Sequence, residues 1–139
     1  IIWVLDDSKD SVEQLVDRLH QFAAPVCEAK NIRFVTALSD GIRHTSLDQR
    51  TRRNIYLLLK EAVNNAVKYA GADTISLDVS AKNNKPEFVL ADNGCGFDAA
   101  TAVNGNGLKN MKRRAEEINF RLLLSTGPDQ GTSICITRS

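Results

Sequence analysis

Apolar residues recur with two different periods along the chain, and the changes of period predict its elements. Between residues 10 and 30 the apolar positions have helical spacing, and Pro25 is expected to bend or end that helix. The same spacing predicts a long helix over 48–70, closed by Gly71, and a shorter helix over 108–118.

Shorter apolar segments bounded by polar turns predict strands at 32–38, 75–79, 88–91, 120–124 and 134–136. The last four form two adjacent pairs without a crossover helix, which indicates antiparallel neighbours. The order is helix, strand, helix, two strands, helix, two strands. We therefore predict an α+β two-layer sandwich with a mixed, mostly antiparallel sheet, and no doubly wound sheet.

Composition adds limits to this outline. The 139 residues suit one domain, and 18 basic against 17 acidic side chains give no extended basic field for nucleic acid or anionic lipid. No apolar run is long enough to span a bilayer, and no signal peptide is visible. Cys27, Cys95 and Cys135 are scattered, which disfavours a zinc site or disulfide framework and suits a reducing compartment. The start at Ile1, without Met, suggests a piece of a larger protein.

The long helix carries the first candidate site. Spacings of four and three residues place Glu61, Asn65 and Lys68 on one helical face beside the apolar stripe. An amide oxygen suits Mg²⁺, and an ammonium group suits a phosphate. The alternative is a solvated helix face with a Glu–Lys neighbour, which would be favoured if this cluster stood alone.

Two glycine-containing segments carry further candidate chemistry. In VLADNGCGFD at 89–98, Asp92 ends a strand and can accept a hydrogen bond from an exocyclic amine; the alternative is an ordinary turn. In NGNGLKNM at 104–111, Gly105 and Gly107 precede a helix whose free N–H groups favour phosphate; the alternative is a flexible loop. Neither segment is a Walker or Rossmann motif.

Taken together and in this order, four motifs resemble those of the Bergerat-fold (GHKL) ATPases. They are E-x-x-x-N-A-x-K, DNGxGF, GxGL and a late Gly-Thr. That superfamily includes gyrase, the ninety-kilodalton heat-shock chaperones, MutL and the histidine kinases. EAVNNAVKYAGA and GNGLKNMKRRAEE are most similar to sensor histidine kinases of the nitrate-sensor and DesK-like group. The resemblance implies an ATP-binding catalytic domain over 31–139. Residues 1–30 would join it to an upstream dimerisation and phosphoacceptor domain.

The resemblance also implies residue roles. Asp92 would bind the adenine amino group with help from Thr132, and Asn65 would coordinate Mg²⁺. Lys68 would contact phosphate, and Glu61 occupies the place of the superfamily's acid. The expected ATP-binding residues are Asn65, Lys68, Tyr69, Asp92, Gly94, Gly96, Gly105, Gly107, Leu108 and Thr132, with Glu61 and Lys68 catalytic.

The implied reaction transfers the γ-phosphoryl group of Mg-ATP to a histidine outside the chain. His20 and His44 lack the acidic helical setting of that acceptor. The implied partners are ATP, the upstream phosphoacceptor domain and a response regulator, with no nucleic acid. A cytoplasmic location is expected, which in the full-length protein would be the cytoplasmic side of the inner membrane. The full-length protein is expected to be a homodimer, which leaves this fragment compatible with a monomer.

Two rival functions stay open. One is a hydrolytic GHKL ATPase or an anti-sigma serine kinase; the kinase-like GLxxMxxR pattern argues against the hydrolase. The other is an interaction module that retains the fold without turnover, against which Glu61, Asn65, Lys68 and Asp92 argue. The sequence departs from the family in a short lid at 98–106 and in GPDQGTS, where many members have GxGT.

Overall fold

The computed structural model describes residues 11–69, 71–94, 106–126 and 131–139. The order of elements in these ranges is the predicted one. The elements are α1 (Val12–Glu28), β1 (Arg33–Leu38), a short 3₁₀ turn (Asp40–Ile42), α2 (Gln49–Tyr69), β2 (Thr74–Lys82), β3 (Lys85–Asp92), α3 (Asn106–Glu117), β4 (Phe120–Thr126) and β5 (Thr132–Arg138).

The described strands form one sheet in the order β1-β2-β3-β5-β4. Strands β1 and β2 are parallel and are connected through α2, whereas the other neighbouring pairs are antiparallel. The predicted mixed, mostly antiparallel sheet is therefore confirmed. Strand β5 lies beside β3 and runs antiparallel to it. The beginning of β5 is therefore next to the end of β3.

A two-residue turn sets the register of the β2–β3 hairpin. Asn83 and Asn84 have φ values of 54° and 64°, which a type I′ turn requires at both central positions. Pairing then runs from Lys82 opposite Lys85 to Ile75 opposite Asp92. The turn therefore determines which residue of β2 faces the last residue of β3.

Helix α1 differs from the expectation at its proline. The Ser11 side chain caps the helix by accepting a hydrogen bond from the Gln14 N–H at 3.2 Å. Pro25 was expected to bend or end the helix; the helix continues through Pro25 to Glu28, so the expected end is wrong. The proline removes only its own donor, since its carbonyl oxygen still accepts from the Ala29 N–H at 3.1 Å.

The hydrophobic core lies between the helices and one face of the sheet. The predicted stripe of α2 is buried at Ile55, Leu58, Leu59, Ala62 and Val63. Helix α1 contributes to the same core, so residues 12–28 pack with the remainder of the described chain. The assignment of residues 1–30 to an interdomain junction stays a prediction. None of the described helices has the length and apolar character needed to cross a membrane.

Candidate functional site

The start of α3 approaches the chemical face of α2. A Cβ atom on Gly107 would lie 3.3 Å from Glu61 Oε1 and 3.6 Å from Asn65 Nδ2. Gly107 is the second residue of α3, whose first-turn N–H groups have no partner within the helix. The fold therefore brings the candidate cluster on α2 together with the glycine-containing segment 104–111, with a carboxylate and an amide beside a helix N-terminus that favours anions.

The predicted site residues on α2 and at the start of α3 differ in their exposure to solvent. Asn65 is half-buried, whereas Glu61 and Lys68 are exposed. Lys68 lies in the last turn of α2, where a cation also complements the helix dipole. Leu108 is partly buried against the hydrophobic core.

Some predicted residues cannot be placed. Tyr69 is the last residue of α2, and its side chain is not among the described atoms. Gly96 and Gly105 lie outside the described residues.

The end of β3 places Asp92 against the start of β5. Asp92 is paired with Ile75 on one side and Thr132 on the other, so these residues share the sheet face that carries the core. One carboxylate oxygen, Oδ1, accepts the Gly94 N–H at 2.9 Å and closes a local turn. Asp92 and Thr132 therefore form a half-buried polar pair at the edge of the core.

Gly131 makes the pairing of these two strands possible. Its φ is +73°, a conformation that side chains with a Cβ atom rarely adopt. A Cβ atom at this position would also collide with the Asp92 carbonyl oxygen. The glycine of the late Gly-Thr motif is thus required by close backbone approach, and the threonine follows it directly into β5.

Thr126 belongs to this site, although the sequence analysis did not identify it. Its Oγ1 lies 2.9 Å from Thr132 Oγ1 and donates to the Gly131 carbonyl oxygen at 3.3 Å. The β4–β5 register places Thr126 opposite Thr132. The available signal was a pair of threonines flanking the GPDQG turn, which becomes meaningful only once the register is known.

Asn93 was also missed, having been read only as part of a turn. Its Oδ1 accepts the backbone N–H groups of Asp73 and Thr74, each at 3.0 Å, and its Nδ2 donates to the Asp73 carboxylate. The hydrogen bond from Asn93, followed by one from Thr74, holds the pKa of Asp73 below its ordinary value. Asn93 thereby joins the end of β3 to the segment that leads from α2 into β2.

The two halves of the candidate site meet through α2, which contacts both α3 and β3. Polar groups therefore line the carboxyl-terminal half of α2, the first turn of α3 and the ends of β3 and β5. In the described ranges, no group of three or more His, Cys, Asp or Glu side chains is arranged to hold a metal ion.

Comparison with known proteins gives a consistent result. A family model described as histidine kinase-, DNA gyrase B-, and HSP90-like ATPase matches residues 50–138. The histidine-protein kinase/phosphatase DegS of Brevibacillus brevis is 33% identical over 84 residues, which are 60% of this chain and 22% of DegS. An uncharacterised sensor-like histidine kinase of Chloroflexus aurantiacus is 30% identical over 135 residues, covering 92% of this chain and 21% of that protein.

Solved structures of low sequence identity share the fold. The histidine kinase domain of a blue-light activated histidine kinase from Erythrobacter litoralis EL346 has a TM-score of 0.75 at 19% identity, covering 96% of this chain and 64% of that one. The histidine kinase AdeS of Acinetobacter baumannii has a TM-score of 0.77 at 15% identity, with coverage of 94% and 65%. This chain spans about a fifth of the length of the curated relatives it matches.

Proposed function

Because this chain belongs to the family of histidine kinase-, DNA gyrase B- and HSP90-like ATPases, we propose that it binds Mg-ATP and phosphorylates a histidine outside the chain. It is the ATP-binding catalytic domain of a sensor histidine kinase. The histidine kinases among its relatives support this assignment, and the fold agrees with it. The observation that carries the site assignment is the close approach of Gly107, at the start of α3, to Glu61 and Asn65.

Adenine recognition is assigned to the end of β3. Asp92 is half-buried and uses Oδ1 for the local turn to Gly94, while a carboxylate has further lone pairs that can accept from the adenine amino group. The Thr132 hydroxyl is the neighbouring group across the strand pair. Gly94 lets the backbone pass close to the base. Gly96, which lies outside the described residues, keeps the same proposed role.

Phosphate binding is assigned to the junction of α2 and α3. The N–H groups of the first turn of α3 supply donors for phosphate oxygens, and Lys68 supplies a positive charge. Gly107 and Gly105, the latter outside the described residues, let phosphate approach the backbone, beside Leu108 and Tyr69.

Mg²⁺ fits the donors found here. Asn65 presents a half-buried amide and Glu61 an adjacent carboxylate, and Mg²⁺ characteristically takes few protein oxygens together with phosphate oxygens and water. Asn65 is proposed as the ligand. When bound, the ion would neutralise charge on the triphosphate.

The proposed chemistry is an in-line displacement. A nitrogen of the acceptor imidazole attacks the γ-phosphorus, the bond from that phosphorus to the bridging oxygen breaks, and ADP leaves with the bond's electron pair. We propose that Glu61, whose carboxylate lies beside Gly107 at the start of α3, accepts a hydrogen bond from the N–H of the attacking imidazole. The protein contributes mainly positioning and charge stabilisation.

The acceptor is proposed to lie on another domain. The His20 ring has its centroid 5.8 Å from that of Phe34, on the outside of α1, and His44 is exposed near the 3₁₀ turn. Neither belongs to the elements that form the candidate site. We therefore propose an upstream phosphoacceptor and dimerisation domain, a homodimeric full-length protein and a response regulator as partners, with ATP supplied by the cytoplasm.

The direct test is a calorimetric titration with a non-hydrolysable ATP analogue, with and without Mg²⁺. We expect one-to-one binding that Asp92→Ala abolishes and that Asp78→Ala, an exposed position on β2, leaves unchanged. Asn65→Asp should lose the Mg²⁺ enhancement while the domain remains folded. Wild-type affinity in Asp92→Ala would refute the adenine assignment, and phosphate release without any acceptor histidine would favour the hydrolytic alternative.

A further inference from the structure

A second polar groove lies between the beginning of α2 and the end of α3. Its volume is about 480 Å³, and its lining residues, called the arginine groove below, are Gln49, Arg50, Arg53, Asn54, Arg114 and Glu117. Asn54 precedes Glu61 on α2 by two helical turns, which is about 10 Å along the helix axis. The arginine groove is therefore distinct from the candidate nucleotide site at the other end of the α2–α3 contact.

Arg50 and Arg53 occupy positions on α2 that helix stability does not explain, whereas Arg114 lies in the last turn of α3, where a cation is favoured. The N-terminus of a helix is its positive end and favours acidic side chains. Helix α2 has no acidic residue in its first turn, where Arg50 lies instead, and Arg53 follows it on the same side of the helix. The cap residue Asp48, which accepts the Thr51 N–H at 2.7 Å, offsets only part of this positive charge. Such departures from local preference are typical of functional surfaces.

The positive charge of the groove is only partly neutralised by its own carboxylate. The groove presents three guanidinium groups against one carboxylate, that of Glu117, which leaves an excess of two positive charges. In the part of the chain that the structure describes, the ion pairs join Arg43 to Glu13 and Lys82 to Glu87, and neither pair includes a groove residue. The excess charge therefore remains available to an anionic ligand.

A buried amide holds one of these guanidinium groups in place. Asn54 is 8% exposed; its Nδ2 donates to the Arg50 carbonyl oxygen at 2.9 Å, and its Oδ1 accepts from Arg114 Nη1 at 3.5 Å. Orienting Arg114 before binding reduces the entropy lost when a ligand arrives. The planar guanidinium group of an arginine suits the bidentate recognition of carboxylates.

We propose that the arginine groove binds an acidic peptide segment of a partner protein through its Asp and Glu carboxylates. The groove is many times larger than the volume of about 30 Å³ that one water molecule occupies, so it accommodates several side chains rather than one small anion. The chain's net charge of +1 provides no extended field for nucleic acid or an anionic membrane.

The test measures fluorescence anisotropy of a labelled hexaglutamate peptide, with the nucleotide site saturated beforehand by the non-hydrolysable ATP analogue. We expect saturable binding that weakens with added salt, and no binding of hexaglutamine. Arg53→Ala and Arg114→Ala should each weaken binding about tenfold, the value of one charge-assisted hydrogen bond. Arg113→Ala is the matched control, because Arg113 is the exposed neighbour on α3 that does not line the groove.

The proposal would be overturned if Arg113→Ala and Arg114→Ala weakened hexaglutamate binding equally. The peptide would then be attracted by the positive surface in general and not by the arginine groove. It would also be overturned if inorganic phosphate, a single-stranded oligonucleotide or anionic lipid vesicles bound the groove more tightly than hexaglutamate and displaced the labelled peptide. That competitor would then be the favoured occupant. Nucleotide titration and thermal unfolding of each variant identify misfolding. If Arg114→Ala misfolds, the exposed Arg50→Gln and Arg53→Gln variants carry the test.

Discussion

The two ends of the candidate nucleotide site are built in different ways. At the Asp92 end, strand register and close backbone packing set the positions: a Cβ atom on Gly131 would collide with the Asp92 carbonyl oxygen, and Thr126 bonds Thr132. At the Gly107 end, two helices meet through a glycine and the flexible tip of the Glu61 side chain. A substitution at the first end is therefore expected to change the fold as well as the proposed recognition of the base, whereas one at the second end should cost the fold little.

The largest expected effect is that of Gly131→Ala. The Cβ atom meets the Asp92 carbonyl oxygen in a backbone conformation with φ of +73°, so we expect a loss of about 2–4 kcal/mol in the free energy of unfolding. Gly71→Ala, with φ of +62° but nothing within 4 Å, should cost about 1 kcal/mol. Gly41→Ala has neither feature and serves as the control. Denaturant unfolding of the three variants measures this series, and equal costs would contradict the packing argument.

Thr126→Val should weaken recognition of the base more than it weakens the fold. The hydroxyl that orients Thr132 is removed while side-chain volume is kept, so we expect about fivefold weaker binding of an ATP analogue. The affinity for the matching inosine nucleotide, which lacks the amino group, should change less. Thr137→Val is the control, because Thr137 lies at the other end of β5 and bonds Glu87. Equal losses for both nucleotides would leave Thr126 with a structural role only.

Gly107→Ala should separate binding from stability. The added methyl group would lie 3.3 Å from an exposed carboxylate oxygen that can move, and alanine favours a helix. We therefore expect stability within about 1 kcal/mol of the wild type. Nucleotide affinity in the presence of Mg²⁺ should fall about threefold, because the passage between α3 and the Glu61–Asn65 face narrows. Calorimetry and thermal unfolding on the same sample test both halves of this prediction.

The smallest effect concerns pH. The pKa of Asp73 is lowered in the folded state by its hydrogen bonds from Asn93 and Thr74. The stability contributed by this carboxylate is therefore fully present above the unfolded-state pKa of about 3.9, and it is lost as the pH falls through the lower folded-state pKa. Asp73→Asn should remove that part of the pH dependence, whereas Asp78→Asn should retain it. Acid titration of the unfolding free energy would contradict the assignment if the two variants behaved alike.

Much of the fold could be predicted because neighbouring residues encode it. Hydrophobic periods gave the helices and strands, and the type I′ turn at Asn83–Asn84 follows from residues that tolerate positive φ. The expected helix end at Pro25 was wrong because a proline can lie within a helix when the surrounding packing compensates for one lost hydrogen-bond donor. Local preference was outweighed there by the burial of Leu19, Ala23 and Cys27 on the same helix.

The candidate site was predictable only in its chemistry. The sequence by itself determined the order of elements, the residue types suited to phosphate, Mg²⁺ and an amine, and the family to which they point. The tertiary structure alone decided that Gly107 approaches Glu61, that Thr126 bonds Thr132, and that Asn93 bonds Asp73 twenty residues away. The physical reason is that backbone conformation and amphipathic period depend on adjacent residues, whereas contacts between segments depend on strand order, register and helix packing.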